Sequence, residues 1–346
     1  MPASAAVFLA LTTQSKSSEL PSPEQIVLRA GLDTPSFIAP KAATLFAERA
    51  LRLRQLAAGH ALRDYLLLMA LVCEALHERA QASPAVTPLG ADALAGALES
   101  GQPPLAPHAL ARAASWRSEW RTALAQVLQR LPADSPARAT VEAVIALPDA
   151  ALEQQADRLL AGITLGLDMA AAPLIAAGLQ LYWTQWLAAT AAAHPDAFKA
   201  LAPPASPAQH CPCCGSLPTA SITRSGQGFK GQRFLHCALC NAQWRAPMVC
   251  CSHCGSAQGI QYQALQAAGD AQAPSTPAAV EAETCEACRH YLKIVHMERD
   301  AHVEPMADDL ATLTLDLLVS DAGYQRHGTN LLLLFGDSEP PQPEPA

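Results

Sequence analysis

The sequence predicts a mainly α N-terminal domain, then two tandem small β modules each built on four cysteines, and a C-terminal helix. Three observations carry this. Half of the 346 residues are apolar while only 5% are aromatic, a balance rich in Ala and Leu that suits helices packed on helices better than a sheet sandwich. Apolar residues recur at helical spacing through the first two hundred positions. Four Cys-x-x-Cys pairs then crowd between positions 211 and 288.

The elements follow in order. Ser22-Pro23-Glu24-Gln25 reads as a helix start, with Ser at the N-cap, Pro at the first helical position and Gln completing a capping box, and Gly31 as its stop. Thr34-Pro35 opens a longer helical region in which Phe46, Ala50, Leu53 and Ala57 share a face, with Arg49, Arg52 and Arg54 between them, ending at Gly59. Leu62, Tyr65, Leu66, Met69, Val72, Cys73 and Leu76 form one broad apolar face. After a connection containing Pro103, Pro104 and Pro107, Trp116, Trp120, Leu124, Val127 and Leu131 form another, in which the Trp side chains read as core. Asp149 reads as an N-cap and Gly162 as the matching stop. The next helix, from about Asp168 to Ala193, carries Leu174, Leu179, Leu181, Trp183 and Leu187 around its whole circumference and is expected at the centre of the domain.

Pro203-Pro204-Ala205-Ser206-Pro207 is a stiff helix-breaking linker across which composition changes. The expected organisation is a disordered segment over 1–19, an α-helical domain over 20–205, four-cysteine modules over 206–248 and 249–300, a helical segment over 301–336 and a disordered tail over 337–346. In the helical segment Leu310, Leu313 and Leu317 share a stripe, with Asp308 and Asp309 in the first turn where carboxylates suit the helix dipole.

The cysteine pairs are Cys211 with Cys214, Cys237 with Cys240, Cys251 with Cys254, and Cys285 with Cys288. The gaps between pairs are 22, 10 and 30 residues. The long gaps each fit a hairpin that returns the second pair to the first, so sequential pairing gives two tandem tetrahedral sites of the zinc-ribbon and rubredoxin kind. Crossed pairing stays open, because the short middle gap also fits a tight hairpin. A metal knuckle favours positive φ just after its second Cys, where Gly or Asn is cheap. Gly215, Asn241 and Gly255 fill three of these positions; Arg289 fills the fourth, so that knuckle is expected to differ in shape. Cys213 and Cys250 are spare ligands or free thiols, and Cys73 is packing. His236, His253 and His290 neighbour the pairs, but four thiolates complete each tetrahedron and leave the rings outside it or exposed.

A net charge of −8, from 23 basic and 31 acidic side chains, supplies no global positive field and argues against nucleic acid as a partner. No Lys or Arg precedes the apolar run Ala5 to Leu11, so a secretory n-region is missing and a cytoplasmic location is expected. Asp168, Gln180 and Gln185 interrupt the apolar stretch from Ile163 to Ala193, so no membrane insertion is expected. Eleven Cys in a reducing compartment read as metal ligands before disulfides. There is no phosphate loop, His-Glu-x-x-His or nucleophile elbow. Closed four-thiolate sites offer a substrate no open position, so the chain reads as a non-enzyme without catalytic residues.

The run Cys211-Pro212-Cys213-Cys214-Gly215-Ser216-Leu217-Pro218, then Leu235-His236-Cys237-Ala238-Leu239-Cys240 and Trp244, resembles the FdhE family of formate dehydrogenase accessory proteins. So do Glu283-Thr284-Cys285-Glu286-Ala287-Cys288 with Tyr291-Leu292-Lys293, Ala307-Asp308-Asp309-Leu310-Ala311, and Ala177-Gly178-Leu179-Gln180-Leu181-Tyr182-Trp183. The resemblance runs from about Leu20 to Gly336. The chain departs from the family by Cys213 and Cys250, by the Pro- and Ala-rich stretch from Gln266 to Ala282, and by Leu331 where the family tends to have Pro. The resemblance implies a cytoplasmic assembly factor for respiratory formate dehydrogenase, acting on its catalytic subunit before export by the twin-arginine route. It also implies a rubredoxin-like C-terminal domain holding two metal ions. Iron is favoured by the resemblance, while zinc equally suits tetrahedral thiolate. The alternative function is a rubredoxin-like electron carrier acting on the formate dehydrogenase active site, and a third is a nucleic-acid-binding ribbon, which the acidic charge opposes.

Overall fold

The computed structural model describes residues 9–14, 35–82, 86–109, 111–199, 201, 209–226, 229, 231–267 and 277–334. The expected helix over Ser22 to Gly31, the linker over Pro203 to Pro207 and the tail over 337–346 lie outside these residues. Within the span 1–19, expected to be disordered, Leu9–Gln14 form strand β1.

Backbone restriction by prolines decides where the first long helix begins. Pro35 and Pro40 flank a short extended stretch, and the residue before a proline is driven out of the helical region. Phe37–Ile38 therefore form strand β2, and helix α1 runs only over Leu45–Leu56, not from Thr34-Pro35 as expected. Phe46, Ala50 and Leu53 are buried on it as the spacing predicts, and Gly59 follows at φ +70°. Helix α2, Arg63–Ala82, buries Leu66, Met69, Val72, Cys73 and Leu76. Helices α3, Ala91–Glu99, and α4, Ser115–Arg130, follow. Trp116 and Trp120 of α4 are core, and the Trp120 Nε1–H donates to the Leu174 carbonyl at 2.7 Å.

Helices α5, Ala137–Ile145, and α6, Asp149–Leu160, complete the outer layer. Asp149 is the first residue of α6, not its cap; its carboxylate pairs with Arg117 and Arg121 instead. Gly162 takes φ +68° beyond the end of that helix. Helix α7, Ala172–Ala193, starts four residues later than expected because the Asp168 carboxylate accepts from the N–H groups of Ala170 and Ala171 and holds a preceding turn. It is buried around most of its girth, as the all-round apolar pattern requires. Helix α8, Pro195–Lys199, ends the domain.

The strands that follow are β3, Pro218–Arg224; β4, Gln232–Cys237; β5, Gln243–Ala246; β6, Ile260–Ala267; β7, Val280–Cys285; and β8, His290–His296. Helices α9, Pro305–Ala311, and α10, Leu313–Asp321, and strand β9, Gln325–Arg326, come last. The antiparallel meanders β3-β4-β5 and β6-β7-β8 repeat one plan. Parallel pairing of β3 with β8, Ser221 opposite Ile294, fuses them into one sheet of order β1-β6-β7-β8-β3-β4-β5-β2, with β9 beside β8. The tandem modules thus share a sheet.

The single late helix expected from Leu310, Leu313 and Leu317 is two helices. Thr312 leaves the helical conformation at φ −107° and ψ 34°, and its hydroxyl donates back to the Asp308 carbonyl at 2.8 Å. Leu310 is buried while Leu317 is exposed, so they share no stripe. Asp308 and Asp309 face inward to ion pairs, Asp308 with Arg52 at 2.6 Å and Asp309 with Arg326 at 2.8 Å. One apolar cluster joins the helical domain to the first module through Cys211, Cys214, Leu239 and Trp244. Among the described residues, no helix is long and apolar enough to cross a membrane.

Candidate metal centres

Three of the four Cys pairs sit in a tight turn closed by its own backbone. The N–H of Gly215 donates to the Cys211 carbonyl, that of Gly255 to Cys251 and that of Arg289 to Cys285, each at 2.9 Å. The residue after the second Cys has positive φ in all four turns: +77° at Gly215, +58° at Asn241, +78° at Gly255 and +56° at Arg289. The fourth knuckle therefore has the same shape as the others, against the expectation drawn from its arginine. Side-chain contacts offset the steric cost of that conformation. Arg289 donates to Glu286 at 3.0 Å and to the Ala322 carbonyl at 2.8 Å, and its guanidinium lies 3.9 Å from the centroid of the Tyr324 ring.

The structure brings the cysteines together in sequence order. The sulfurs of Cys211, Cys214, Cys237 and Cys240 lie within 4.8 Å of one another, as do those of Cys251, Cys254, Cys285 and Cys288. Cross-pair separations are 3.5 Å for Cys211 to Cys240, 3.4 Å for Cys214 to Cys237, 3.6 Å for Cys251 to Cys288 and 3.7 Å for Cys254 to Cys285. A tetrahedron with metal–sulfur bonds of about 2.3 Å has edges of about 3.8 Å, so both clusters fit one ion with little adjustment. Backbone N–H groups point at the sulfurs, from Leu239 and Cys240 to Cys237 and from His253 and Cys254 to Cys251. Burial pushes the Cys211, Cys237 and Cys240 thiols well up, while at Cys214 burial is outweighed by hydrogen bonds from the neighbouring thiols, which hold it down. A cation is what would ionise the other three.

The two centres differ in access. In the first, all four cysteines are at most 1% exposed. In the second, Cys254 is exposed and Cys288 half-buried. The difference arises because the helical domain covers only the first centre. Arg49, buried on α1, donates to Asn241 Oδ1 at 2.7 Å, to Gln180 Oε1 of α7 at 3.3 Å and to Glu304 Oε1 at 2.9 Å. Gln180 in turn donates to the Ala238 carbonyl at 2.6 Å, and Asn241 to Thr184 Oγ1 at 2.8 Å. Burial favours the neutral acid at Glu304, but the Arg49 guanidinium outweighs it and holds the carboxyl below its usual range.

His236 is buried with Nε2 donating to Asn241 Oδ1 at 3.2 Å and Nδ1 accepting from Gln243 at 3.3 Å, and burial pushes it down to about 4. His253 and His290 stack at 3.7 Å beside the second centre, with His327 edge-on to His253. Burial, with the other rings nearby, pushes His327 down to about 4. Cys213 is buried outside the first cluster, its carbonyl accepting from Leu105 at 2.8 Å. Cys250 donates to the Gly255 carbonyl at 3.3 Å, and Cys73 is core. The sequence reading missed His327, Gln180 and Arg49 as parts of these centres. Arg49 carried one signal, a charged residue inside an otherwise apolar helical face.

Family models match almost the whole of this architecture: FdhE, N-terminal, over 34–197, FdhE, central domain, over 210–247, and FdhE, C-terminal domain, over 249–333. The chain belongs to the FdhE family. It is 36% identical over 315 residues to a protein FdhE homolog of Pseudomonas aeruginosa, covering 89% of this chain and 96% of that one. Protein FdhE of Salmonella dublin is 35% identical over 305 residues, covering 88% and 93%. The crystal structure of the FdhE protein from Pseudomonas aeruginosa superposes with a TM-score of 0.71 at 33% identity, over 87% of this chain and all of that one. The FdhE central domain thus carries the sealed centre, and the FdhE C-terminal domain the open one.

Proposed function

We propose that this FdhE protein is a cytoplasmic, metal-binding accessory protein of respiratory formate dehydrogenase, which engages the catalytic subunit before its export. The observation that carries the reading, beside the family, is the pair of closed four-sulfur clusters fused through one sheet to a helical domain. Such sites hold a shape and offer a substrate no coordination position, which suits a scaffold that binds a client protein. Each cluster takes one ion, with iron favoured over zinc by the likeness to the family. Pull-down of the catalytic subunit by the metal-loaded chain is the test; no capture under either reducing or oxidising conditions overturns the reading. Metal analysis of anaerobically purified protein decides between iron and zinc.

The exposure of Cys254 favours one second reading, an electron carrier acting on the formate dehydrogenase active site. An iron–thiolate centre at the surface exchanges one electron without opening its coordination. Reversible bleaching of a visible iron–thiolate band supports this reading, and a colourless zinc protein ends it.

A further inference from the structure

The two sulfur clusters differ in their histidines as well as in their exposure. At the first, both ring nitrogens of His236 are engaged, by Asn241 and Gln243. At the second, His253 lies two residues after Cys251 and His290 two residues after Cys288. The pairing of knuckles that closes the second cluster therefore also brings these two rings together. They lie parallel, 5° apart in plane and 3.7 Å between centroids, and one nitrogen of each lies within 4.8 Å of the other and of the Cys288 sulfur.

One of the two rings is held as a ligand is held, and the other has a nitrogen to spare. His290 Nδ1 is 2.8 Å from the Cys288 carbonyl and donates to it, which leaves Nε2 with its lone pair free. A backbone carbonyl on the other ring nitrogen is the usual device for fixing the tautomer of a metal-binding imidazole. His253 Nδ1 is buried without a hydrogen-bond partner among the described residues. An unmet buried nitrogen of that kind calls for an explanation. The ring of His327 stands edge-on to His253 at 5.2 Å, with its own Nδ1 taken by Ser252 at 2.9 Å.

The geometry points to a third cation site, formed by His253, His290 and the Cys288 thiolate, which takes a borderline divalent ion such as Zn²⁺, Co²⁺ or Fe²⁺ and shares Cys288 with the four-sulfur ion as a bridge. Imidazole and thiolate together suit such ions. Four thiolates around one divalent ion keep a net negative charge, which favours a second cation close by. Parallel rings aim their nitrogens side by side, so ligation needs each ring to tilt about χ2, a soft torsion. Three protein ligands leave a coordination position open, so this ion exchanges with solution faster than the four-sulfur ions do. The second centre then has an entry point for metal, and the first has none.

The inference rests on the second cluster holding a metal ion of its own. The test is titration of the reduced, full-length apoprotein with Co²⁺, followed by absorbance. Two equivalents with intense sulfur charge-transfer bands are expected first, then a third with weaker charge transfer. His253→Ala with His290→Ala is expected to weaken the third at least tenfold and to leave the first two intact, an effect within the range of about 10–100-fold seen when metal-site groups are removed. His290→Gln alone, milder for the fold, is expected to weaken the third equivalent in the same way. Saturation of the wild-type protein at two equivalents overturns the third site, as does a third equivalent unchanged in the histidine variants. Fewer than two sulfur-rich equivalents instead overturns the reading of the cysteine clusters themselves.

Discussion

Arg49 and Asn241 are 192 residues apart in sequence, yet the guanidinium of the first donates to the side-chain oxygen of the second at 2.7 Å in the protein interior. Asn241 is the positive-φ residue that closes the knuckle of Cys237 and Cys240. A charged side chain from the first long helix thus holds the backbone turn that orients two sulfurs of the sealed centre. The same guanidinium holds Glu304, at the head of the C-terminal helices, so one side chain ties together three parts of the chain.

Arg49→Met is expected to destabilise the metal-loaded protein by about 3–5 kcal/mol, since it takes the ion-pair partner from the buried Glu304 carboxylate and one of two donors from Asn241 Oδ1. Arg49→Lys, which keeps the charge but loses the fork, should cost less. Urea unfolding of the three proteins checks the order; equal stability of Arg49→Met and wild type refutes the clamp.

Gly178→Ala should destabilise, although Ala is ordinarily the better helix residue by about 1 kcal/mol. A Cβ at Gly178 would stand 2.0 Å from Cδ1 of Trp120, whose buried ring is anchored by its Nε1–H bond to the Leu174 carbonyl. Overpacking of that kind costs about 1–3 kcal/mol or more, so a lower thermal midpoint is expected, and a raised one would mean that α4 and α7 do not meet at this point.

Ligand pairing in sequence order is testable by metal stoichiometry. Replacing Cys211 and Cys214 with Ser should release one equivalent, and adding Cys237→Ser and Cys240→Ser should release no more. Loss of the second equivalent on that step would mean crossed pairing. In the wild type a chelator should strip the exposed second centre first. Amide exchange should then rise in β6, β7 and β8 while the helical domain stays protected, because each thiolate site supplies about 10–16 kcal/mol to the segment it closes.

Asp309 supplies a pH dependence of known sign. Burial raises its carboxyl, but Arg326 and Lys293 outweigh burial and the net shift is downward. A carboxyl whose folded pKa lies below its unfolded value of about 3.9 contributes stability that is complete above that pH and lost as pH falls through the folded value. The stability gap between wild type and Asp309→Asn should therefore be constant from about pH 7 to pH 5 and shrink below about pH 4. Urea unfolding of both proteins at each pH subtracts the proton competition at the cysteines, and a gap unchanged down to about pH 3 would exclude the charged pairing.

Much of the helical domain was legible because its signal is local. The apolar face from Leu62 to Leu76 and the all-round apolar helix from Leu174 to Leu187 state their own period and their own burial. The cysteine clusters were legible for the same reason: Cys-x-x-Cys is a local motif, and the loop lengths between pairs limit which knuckles meet. Helix starts are less legible: Thr34-Pro35 reads as the opening of a helical region, whereas the chain between Pro35 and Pro40 is extended in β2 and the helix begins at Leu45. The late helix was misread because Leu313 and Leu317 fit a helical period that Thr312 interrupts.

By itself the sequence determined the class of each part and the four Cys-x-x-Cys knuckles, because period and motif act over short stretches of chain. Loop length favoured pairing in sequence order but left crossed pairing open, and the tertiary structure groups the sulfurs in sequence order. Only the tertiary structure decided that the two modules share one sheet through β3 and β8, and that Arg289 adopts the left-handed conformation of its three counterparts. It also decided that one centre is sealed by helices while the other faces solvent beside three histidines. These are contacts between residues tens to hundreds of positions apart. Their energies come from burial and charge pairing that no local pattern records, and a knuckle's neighbours, unlike its ligands, are chosen by whatever the rest of the chain places against it.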